Sequence, residues 1–127
     1  SLLPRFRGGM GAYAREVTCV AWQQCQPWLD EALVYLQGNR DLIAKTVAER
    51  MPGVKFSTPQ STYLAWLDFT ATGLNRDPHE FFLEKARVGL SEGPTFGAAG
   101  EGHPRLNFAT DRDVLQQILD RMVDAMP

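Results

Sequence analysis

The sequence predicts an α+β fold (α/β in the broad sense), in which helices cover a small mixed β-sheet. Two observations lead to this prediction. First, a chain of 127 residues with 44% hydrophobic and 22% charged residues has the size and composition of one globular domain. Second, segments with helical and strand periodicity alternate along the chain in the order helix, helix, strand, strand, helix, strand, strand, helix.

Two helices are expected first. Residues 12–24 contain no helix breaker, and Pro27 suits the first turn of a second helix, where its missing N–H costs nothing. That second helix has apolar residues at spacings of three, four and seven and ends at Pro52-Gly53. We expect its apolar residues to enter the core, so that Leu33→Ala would cost about 2–5 kcal/mol. They are Leu29, Leu33, Leu36, Ile43 and Val47.

Four short segments are predicted as strands: 54–56, 61–69, 88–91 and 105–108. The second is the richest, and both of its faces are largely apolar, which favours an inner strand covered on two sides. One face carries Tyr63, Ala65 and Leu67, and the other carries Leu64, Trp66 and Asp68.

Two more helices have recognisable starts. Asp77 can cap a helix whose first residue is Pro78, and Glu80 completes an arrangement like a capping box. Thr110 is the expected cap of the last helix. The apolar stripe of that helix consists of Leu115, Ile118, Leu119 and Met122.

Composition excludes several classes of protein. The formal charge of −2 gives no basic excess for nucleic acid, and no apolar stretch approaches the roughly 18 residues of a membrane span. Two cysteines cannot form a disulfide framework, so a cytoplasmic setting is expected. The chain begins at Ser1 without an initiator Met, and we expect a piece of a longer protein in which residues 1–11 are a linker or boundary segment and 12–127 form the domain.

Most chemically versatile side chains have an ordinary explanation. Neither the cysteines nor the histidines have the spacing of a metal site, so we expect packing cysteines, surface histidines and no metal. None of the three lysines has the hydroxyl-bearing neighbours that surround a Schiff-base lysine, and the sequence offers no residue for covalent catalysis. These residues are Cys19, Cys25, His79, His103, Lys45, Lys55 and Lys85.

Arg105 is the most suggestive candidate for binding. A glycine-rich segment, 92–102, leads into the strand that carries it, and we expect this segment to be an open loop. The face of the strand that carries Arg105 and Asn107 lies opposite Leu106 and Phe108. A guanidinium can hold a carboxylate through two parallel hydrogen bonds. On these residues alone, a structural ion pair is the more common explanation of a lone arginine on a strand.

Three segments together resemble fold-type I enzymes that depend on pyridoxal phosphate. Residues 28–40 resemble their long helix, and 62–68 resemble a strand of their small domain. Residues 93–102, followed by 105–108, resemble their closing loop and carboxylate-binding strand. The whole is most similar to the cystathionine β-lyase (C–S lyase) branch of the class I/II aminotransferase family.

The resemblance implies that residues 12–127 are the C-terminal small domain of the pyridoxal-phosphate-dependent transferase fold. Arg105 would bind the α-carboxylate of a sulfur-containing amino acid, and Tyr63 and Phe96 would lie near the site. The cofactor, pyridoxal 5'-phosphate, and its lysine would belong to an N-terminal domain of the same chain. A cytoplasmic homodimer is the expected assembly, and this piece alone should be inactive.

Three alternatives remain open at this stage. An amino-acid aminotransferase would share the whole architecture. The aminotransferase-like effector domain of a transcription regulator would bind the cofactor for sensing. An unrelated ligand-binding module would share only the class of fold.

Overall fold

The structure is a computed structural model that describes residues 11–127. The predicted boundary segment, 1–11, lies outside the described residues except for Gly11. Four helices and three strands follow one another, and the first helix has the predicted bounds. They are α1 (Ala12–Gln24), α2 (Gln26–Arg50), β1 (Lys55–Phe56), β2 (Leu64–Asp68), α3 (Pro78–Lys85), β3 (Arg105–Asn107) and α4 (Arg112–Ala125). Within this part of the chain, no helix combines the length and the apolar character that crossing a membrane requires.

The described chain divides into two compact units, one ending at Val34 and the other formed by Tyr35–Pro127. The first unit contains α1, which buries none of its residues. The prediction of packing cysteines is wrong here, because Cys19 and Cys25 are both exposed. Leu33 is also 53% exposed, so the prediction that it enters the core is wrong.

The second unit contains the sheet, whose strand order is β1-β2-β3. The α+β class is confirmed, and all pairings in the sheet are antiparallel. β2 pairs with β1 through Phe56–Leu67 and with β3 through Ala65–Leu106. The predicted strand at 88–91 is reduced to one bridge, between Ser91 and Arg105.

The core lies on one side of this sheet. Ala65 and Leu67 of β2 are fully buried, whereas Trp66 on the opposite face is 37% exposed. The prediction that β2 is central holds, but among the described residues its second face is only partly covered. The largest buried side chains of the core come from α2, β2, α3 and α4 and from the residues that directly follow α2 and β3: Ile43, Met51, Leu67, Phe82, Phe108, Leu115, Leu119 and Met122.

A buried amide connects α2 to the end of β3. Asn39 is fully buried, and its Nδ2 donates to the carbonyls of Phe108 at 3.0 Å and of Thr110 at 2.9 Å. Its Oδ1 accepts from Nε of Arg112 at 3.1 Å. Gly38 leaves the room that the Arg112 guanidinium occupies, since a Cβ at Gly38 would overlap Nη2. The segment that follows β3 is thereby fixed to α2.

The helix caps are partly as predicted. Asp77 accepts a hydrogen bond from the backbone N–H of His79 at 2.8 Å, as expected of a cap. Glu80 pairs with Arg76 at 3.5 Å. At α4 the prediction of Thr110 is wrong, because Asp111 is the capping residue and accepts from the N–H of Asp113. A carboxylate at this position also suits the positive end of the helix dipole.

Substitution of two leucines, one buried and one exposed, tests where the core lies. Leu119 is fully buried, and Leu33 is more than half exposed. We expect Leu119→Ala to lower the free energy of unfolding by about 2–5 kcal/mol. Leu33→Ala should lower it by no more than about 1 kcal/mol. Urea denaturation of the chain measures both, and equal losses would contradict the assignment of the core.

Candidate functional site

Arg105 occupies the position that the sequence predicts. It begins β3, between Trp66 of β2 and a bridge to Ser91, and its backbone exchanges hydrogen bonds of 2.9 and 3.0 Å with Ser91. Leu106 and Phe108 are buried, whereas Arg105 is only half-buried. The alternation along β3 therefore directs the guanidinium away from the core, as predicted.

Two neighbours hold the guanidinium. Its Nη2 donates to Oγ of Ser91 at 3.2 Å, and its Cζ lies 4.4 Å from the centroid of the Phe96 ring. Nε is buried and has no hydrogen-bond partner. Leaving such an N–H unpaired costs about 1–3 kcal/mol, and more where the group is charged. The contacts with Ser91 and Phe96 must therefore stabilise this orientation against that cost.

No carboxylate neutralises Arg105 within residues 11–127. The ion pairs there are made by other cations, such as Arg50 with Asp120 and Arg76 with Glu84. The interpretation of Arg105 as a partner in a structural ion pair therefore has no support in the described chain. A half-buried guanidinium with free donors is suited to an anionic ligand.

The glycine-rich segment is folded rather than open. It forms two 3-10 turns, Gly93–Phe96 and Ala98–Gly100. Gly93 and Gly100 face each other so closely that a Cβ on either would overlap the backbone carbonyl of the other. Gly97 between the turns has φ +120°, which an L side chain rarely adopts. The two glycines thus pack against the backbone of their own segment. This packing fixes the first turn, and with it the position of Phe96.

An aromatic cluster lies beside Arg105. The rings of Trp66 and Phe96 meet edge to face, with centroids 5.7 Å apart, and His103 stacks on Trp66 at 6.0 Å. Nδ1 of His103 lies 2.7 Å from the carbonyl of Glu101, and its Nε2 lies 3.7 Å from Oδ1 of Asp68. His103 is thus a packed, half-buried residue rather than the surface histidine that was predicted.

Asp68 stays ionised in this environment. Hydrogen bonds from the hydroxyl of Thr70 and then from its backbone N–H lower the pKa of Asp68, and the charge of His103 contributes further. The contribution of burial has the opposite sign and is smaller than that of the hydrogen bonds. Asp68 therefore offers a carboxylate to Nε2 of His103.

His79 has a structural explanation. Its Nδ1 lies 2.8 Å from the carbonyl of Leu90, and its backbone N–H binds the cap residue Asp77. The imidazole therefore joins the start of α3 to the segment that precedes Ser91. This position is half-buried, so the prediction of a plain surface histidine is incomplete.

The described chain does not fit pyridoxal phosphate by itself. A lysine that forms a Schiff base is activated by desolvation in an apolar pocket or by a neighbouring cation. Lys45 and Lys55 are exposed, and Nζ of Lys85 pairs with Glu84 at 2.8 Å. The described residues also contain no group of His, Cys, Asp or Glu able to hold a metal ion. No chemical step through a cofactor can be assigned to these residues.

Sequence reasoning found Arg105 and placed Phe96 near it, but it missed Ser91 and Trp66. Trp66 had a detectable signal, because it shares its face of the predicted strand with the charged residue Asp68, which marks that face as the less buried one. Ser91 had none, since its role depends on a bridge to β3. Tyr63 lies just before β2, is 48% exposed and accepts the N–H of Phe108 at its carbonyl.

Comparison with known proteins identifies relatives of this chain. No family model matches the chain. It is 41% identical over 112 residues to a putative cystathionine beta-lyase of Mycobacterium tuberculosis, covering 75% of this chain and 28% of that protein. The cystathionine beta-lyase PatB of Bacillus subtilis is 35% identical over 120 residues, covering 94% of this chain and 31% of PatB.

The chain is a homologue of the cystathionine β-lyases. A crystal structure of a putative pyridoxal-phosphate-dependent beta-cystathionase from Corynebacterium diphtheriae superposes on it with a TM-score of 0.90. Its sequence is 37% identical, and the match covers 99% of this chain and 33% of that one. This cystathionine β-lyase homologue thus spans about a third or less of the length of the relatives that it matches, and its fold is that of a part of them.

Proposed function

We propose that this chain is the C-terminal small domain of a pyridoxal-phosphate-dependent C–S β-lyase that acts on sulfur-containing amino acids. In this proposal residues 12–127 form the domain, and Arg105 binds the α-carboxylate of the substrate. The cofactor and its lysine belong to an N-terminal domain of the complete protein. The chain contributes recognition and orientation of the substrate.

One observation carries the proposal. Arg105 is half-buried, has no carboxylate partner in residues 11–127, and is nevertheless held by Ser91 and Phe96. Its Nη1 has no partner there and, unlike Nε, is not buried, so this nitrogen is open to a ligand. A fixed guanidinium with an open edge is the group that recognises a carboxylate.

The contribution of Arg105 to the reaction is orientation. A charge-assisted hydrogen-bonded pair with the carboxylate is worth roughly 1.5–3 kcal/mol. Holding the carboxylate at one place also restricts rotation of the substrate's Cα, which selects the bond at Cα that is aligned for cleavage. The remaining chemistry, electron withdrawal by the cofactor, would be supplied by the other domain.

The first unit supports the presence of a further domain. Several large apolar side chains are strongly exposed there, among them Tyr13 at 84%, Trp22 at 84% and Trp28 at 70%. Exposed apolar patches on a soluble domain commonly mark an interface. We assign this surface to contacts with the rest of the complete protein. We propose that the complete protein is a homodimer in the cytoplasm. Hydrogen exchange tests the assignment: the amides of α1 should exchange slowly in the complete protein and rapidly in this chain.

Substitution of Arg105 in the complete protein tests the proposal directly. Arg105→Lys retains the charge but loses the planar fork, so kcat/KM for a thioether amino acid such as cystathionine should fall about ten- to a hundredfold. The loss should be much smaller for the corresponding amine without the α-carboxylate. Arg121→Lys, at an exposed position of α4, is the matched control and should change neither value.

Two outcomes of the same assay are informative about the reaction. Pyruvate released without any added keto acid is the result expected of a β-lyase, whereas dependence on a keto-acid acceptor would identify an aminotransferase. Equal losses for the two substrates in Arg105→Lys would assign Arg105 to folding and overturn its role in binding.

We also expect this chain alone to be catalytically inactive. Its three lysines are all exposed and Lys85 also pairs with Glu84, so none has the desolvated setting that activates a Schiff-base lysine. After incubation with the cofactor and reduction with borohydride, mass spectrometry should find no single stoichiometric adduct. One specific adduct accompanied by turnover of cystathionine would contradict the proposal that the catalytic lysine lies in another domain.

A further inference from the structure

We propose that Phe96 and Ser91 are positioning residues that fix the Arg105 guanidinium before the substrate arrives. This inference rests on the proposed function of Arg105. Neither residue needs to touch the substrate. Their effect on the reaction would pass through the orientation of one side chain.

The contacts of Arg105 are the first argument. An arginine on a short edge strand has many rotamers, and those that leave Nε hydrated are favoured in water. Here Nε is buried without a partner, while the Phe96 ring lies under Cζ and Ser91 accepts from Nη2. The ring favours the guanidinium plane stacked over it. The hydroxyl then fixes rotation within that plane, which leaves Nη1 as the open end.

The placement of Phe96 is the second argument. Phe96 is 52% exposed, so burial in the core does not explain its position. The ring lies between Arg105 and Trp66, which meets it edge to face at 5.7 Å. The close contact of Gly93 with Gly100 fixes the backbone turn that presents it. An exposed aromatic residue held in this way is explained by the cation that it stacks on.

The placement of Ser91 is the third argument. Its backbone already pairs with Arg105 in both directions, so the strand bridge needs no side chain. The hydroxyl adds a contact to the guanidinium at 3.2 Å, and this contact is the only side-chain hydrogen bond of Arg105 within residues 11–127. Ser91 thus contacts both the backbone and the guanidinium of Arg105. Such a double contact limits the motion of the side chain relative to its strand.

Kinetics of the complete protein test this inference. Phe96→Leu retains apolar volume but removes the aromatic face, and it should lower kcat/KM for cystathionine about two- to fivefold. Ser91→Ala should act in the same direction, and the two together should lose about tenfold. The loss should appear mainly as a higher KM, because the carboxylate is bound both before and during the reaction. Phe96→Tyr and Ser91→Thr, which keep the ring and the hydroxyl, should restore the wild-type value.

A double-mutant comparison separates positioning from folding. In an Arg105→Lys background, Phe96→Leu should cause little further loss, because the group that it positions is gone. Additive losses, or equal losses for cystathionine and for the amine lacking the α-carboxylate, would overturn the inference.

The same comparison distinguishes this inference from the proposed function. If Arg105→Lys affects both substrates equally, the role of Arg105 itself fails. If Arg105→Lys is selective for the carboxylate but Phe96→Leu and Ser91→Ala are independent of it, only the positioning role fails. If Phe96→Leu does not fold, Ser91→Ala gives the same comparison without changing the glycine-rich turns.

Discussion

Asn39→Leu should lower the free energy of unfolding by about 3–5 kcal/mol. The side chain is fully buried and makes three hydrogen bonds, to the carbonyls of Phe108 and Thr110 and to Nε of Arg112. Leucine has a similar volume but can satisfy none of these groups. Each buried polar group left unpaired costs about 1–3 kcal/mol, and here several lose their partner together. Urea denaturation of the chain, monitored by circular dichroism, measures the loss.

Gln37→Leu is the matched control for this experiment. Gln37 lies two residues earlier on α2 and is exposed, so an amide is again replaced by leucine, but no buried partner is lost. This variant should change the free energy of unfolding by less than about 0.5 kcal/mol. Asn39→Asp should also be strongly destabilising, since it replaces the donor that serves two carbonyls by an acceptor. A loss below about 1 kcal/mol in Asn39→Leu would show that the amide does not fasten α2 to the end of β3.

The helices were predicted well because residues close together in the sequence determine where a helix begins and ends. The bounds of α1 follow from the lack of breakers between Gly11 and Pro27, and the cap at Asp77 is formed by residues two apart. The pattern of apolar residues predicted the length of α2 correctly. It could not show that Leu33 is exposed in this chain, since periodicity indicates which face is apolar and not what covers it.

Features that join distant residues were not predictable in this way. Asn39 finds its acceptors 69 and 71 residues along the chain, and nothing in its own neighbourhood indicates that it is buried. The segment at 88–91 has strand-forming residues, but only Ser91 pairs with a strand. Short strands are decided by the partners available to them, which a linear pattern does not contain.

The candidate site also combines features that the local sequence predicts with features that depend on distant residues. Arg105 and its outward face could be predicted from the alternation along β3, and the resemblance to a known family suggested what it binds. The choice between an ion pair and an open guanidinium depended on residues from other segments. In the structure Ser91 and Phe96 hold the guanidinium, no carboxylate of residues 11–127 pairs with it, and Nη1 stays open.

Gly100→Ala should disrupt the turns that present Phe96, with consequences for both stability and activity. A Cβ at Gly100 would overlap the carbonyl group of Gly93, and backbone atoms cannot move aside as a side chain can. We expect the free energy of unfolding to fall by about 1–3 kcal/mol or more. In the complete protein kcat/KM for cystathionine should fall at least as far as in Arg105→Lys, about ten- to a hundredfold, since Phe96 and the approach to Arg105 are displaced together.

Gly89→Ala is the matched control for this substitution. Gly89 lies in the same part of the chain, but a Cβ there meets no atom within 4 Å, and its φ lies outside the range that favours glycine. It should therefore leave both the melting temperature and kcat/KM close to those of the wild type. Gly93→Ala should reproduce the effect of Gly100→Ala, because a Cβ at Gly93 would overlap the carbonyls of Gly100 and His103. Wild-type activity in either variant would show that the contact between the two glycines does not determine where Phe96 lies.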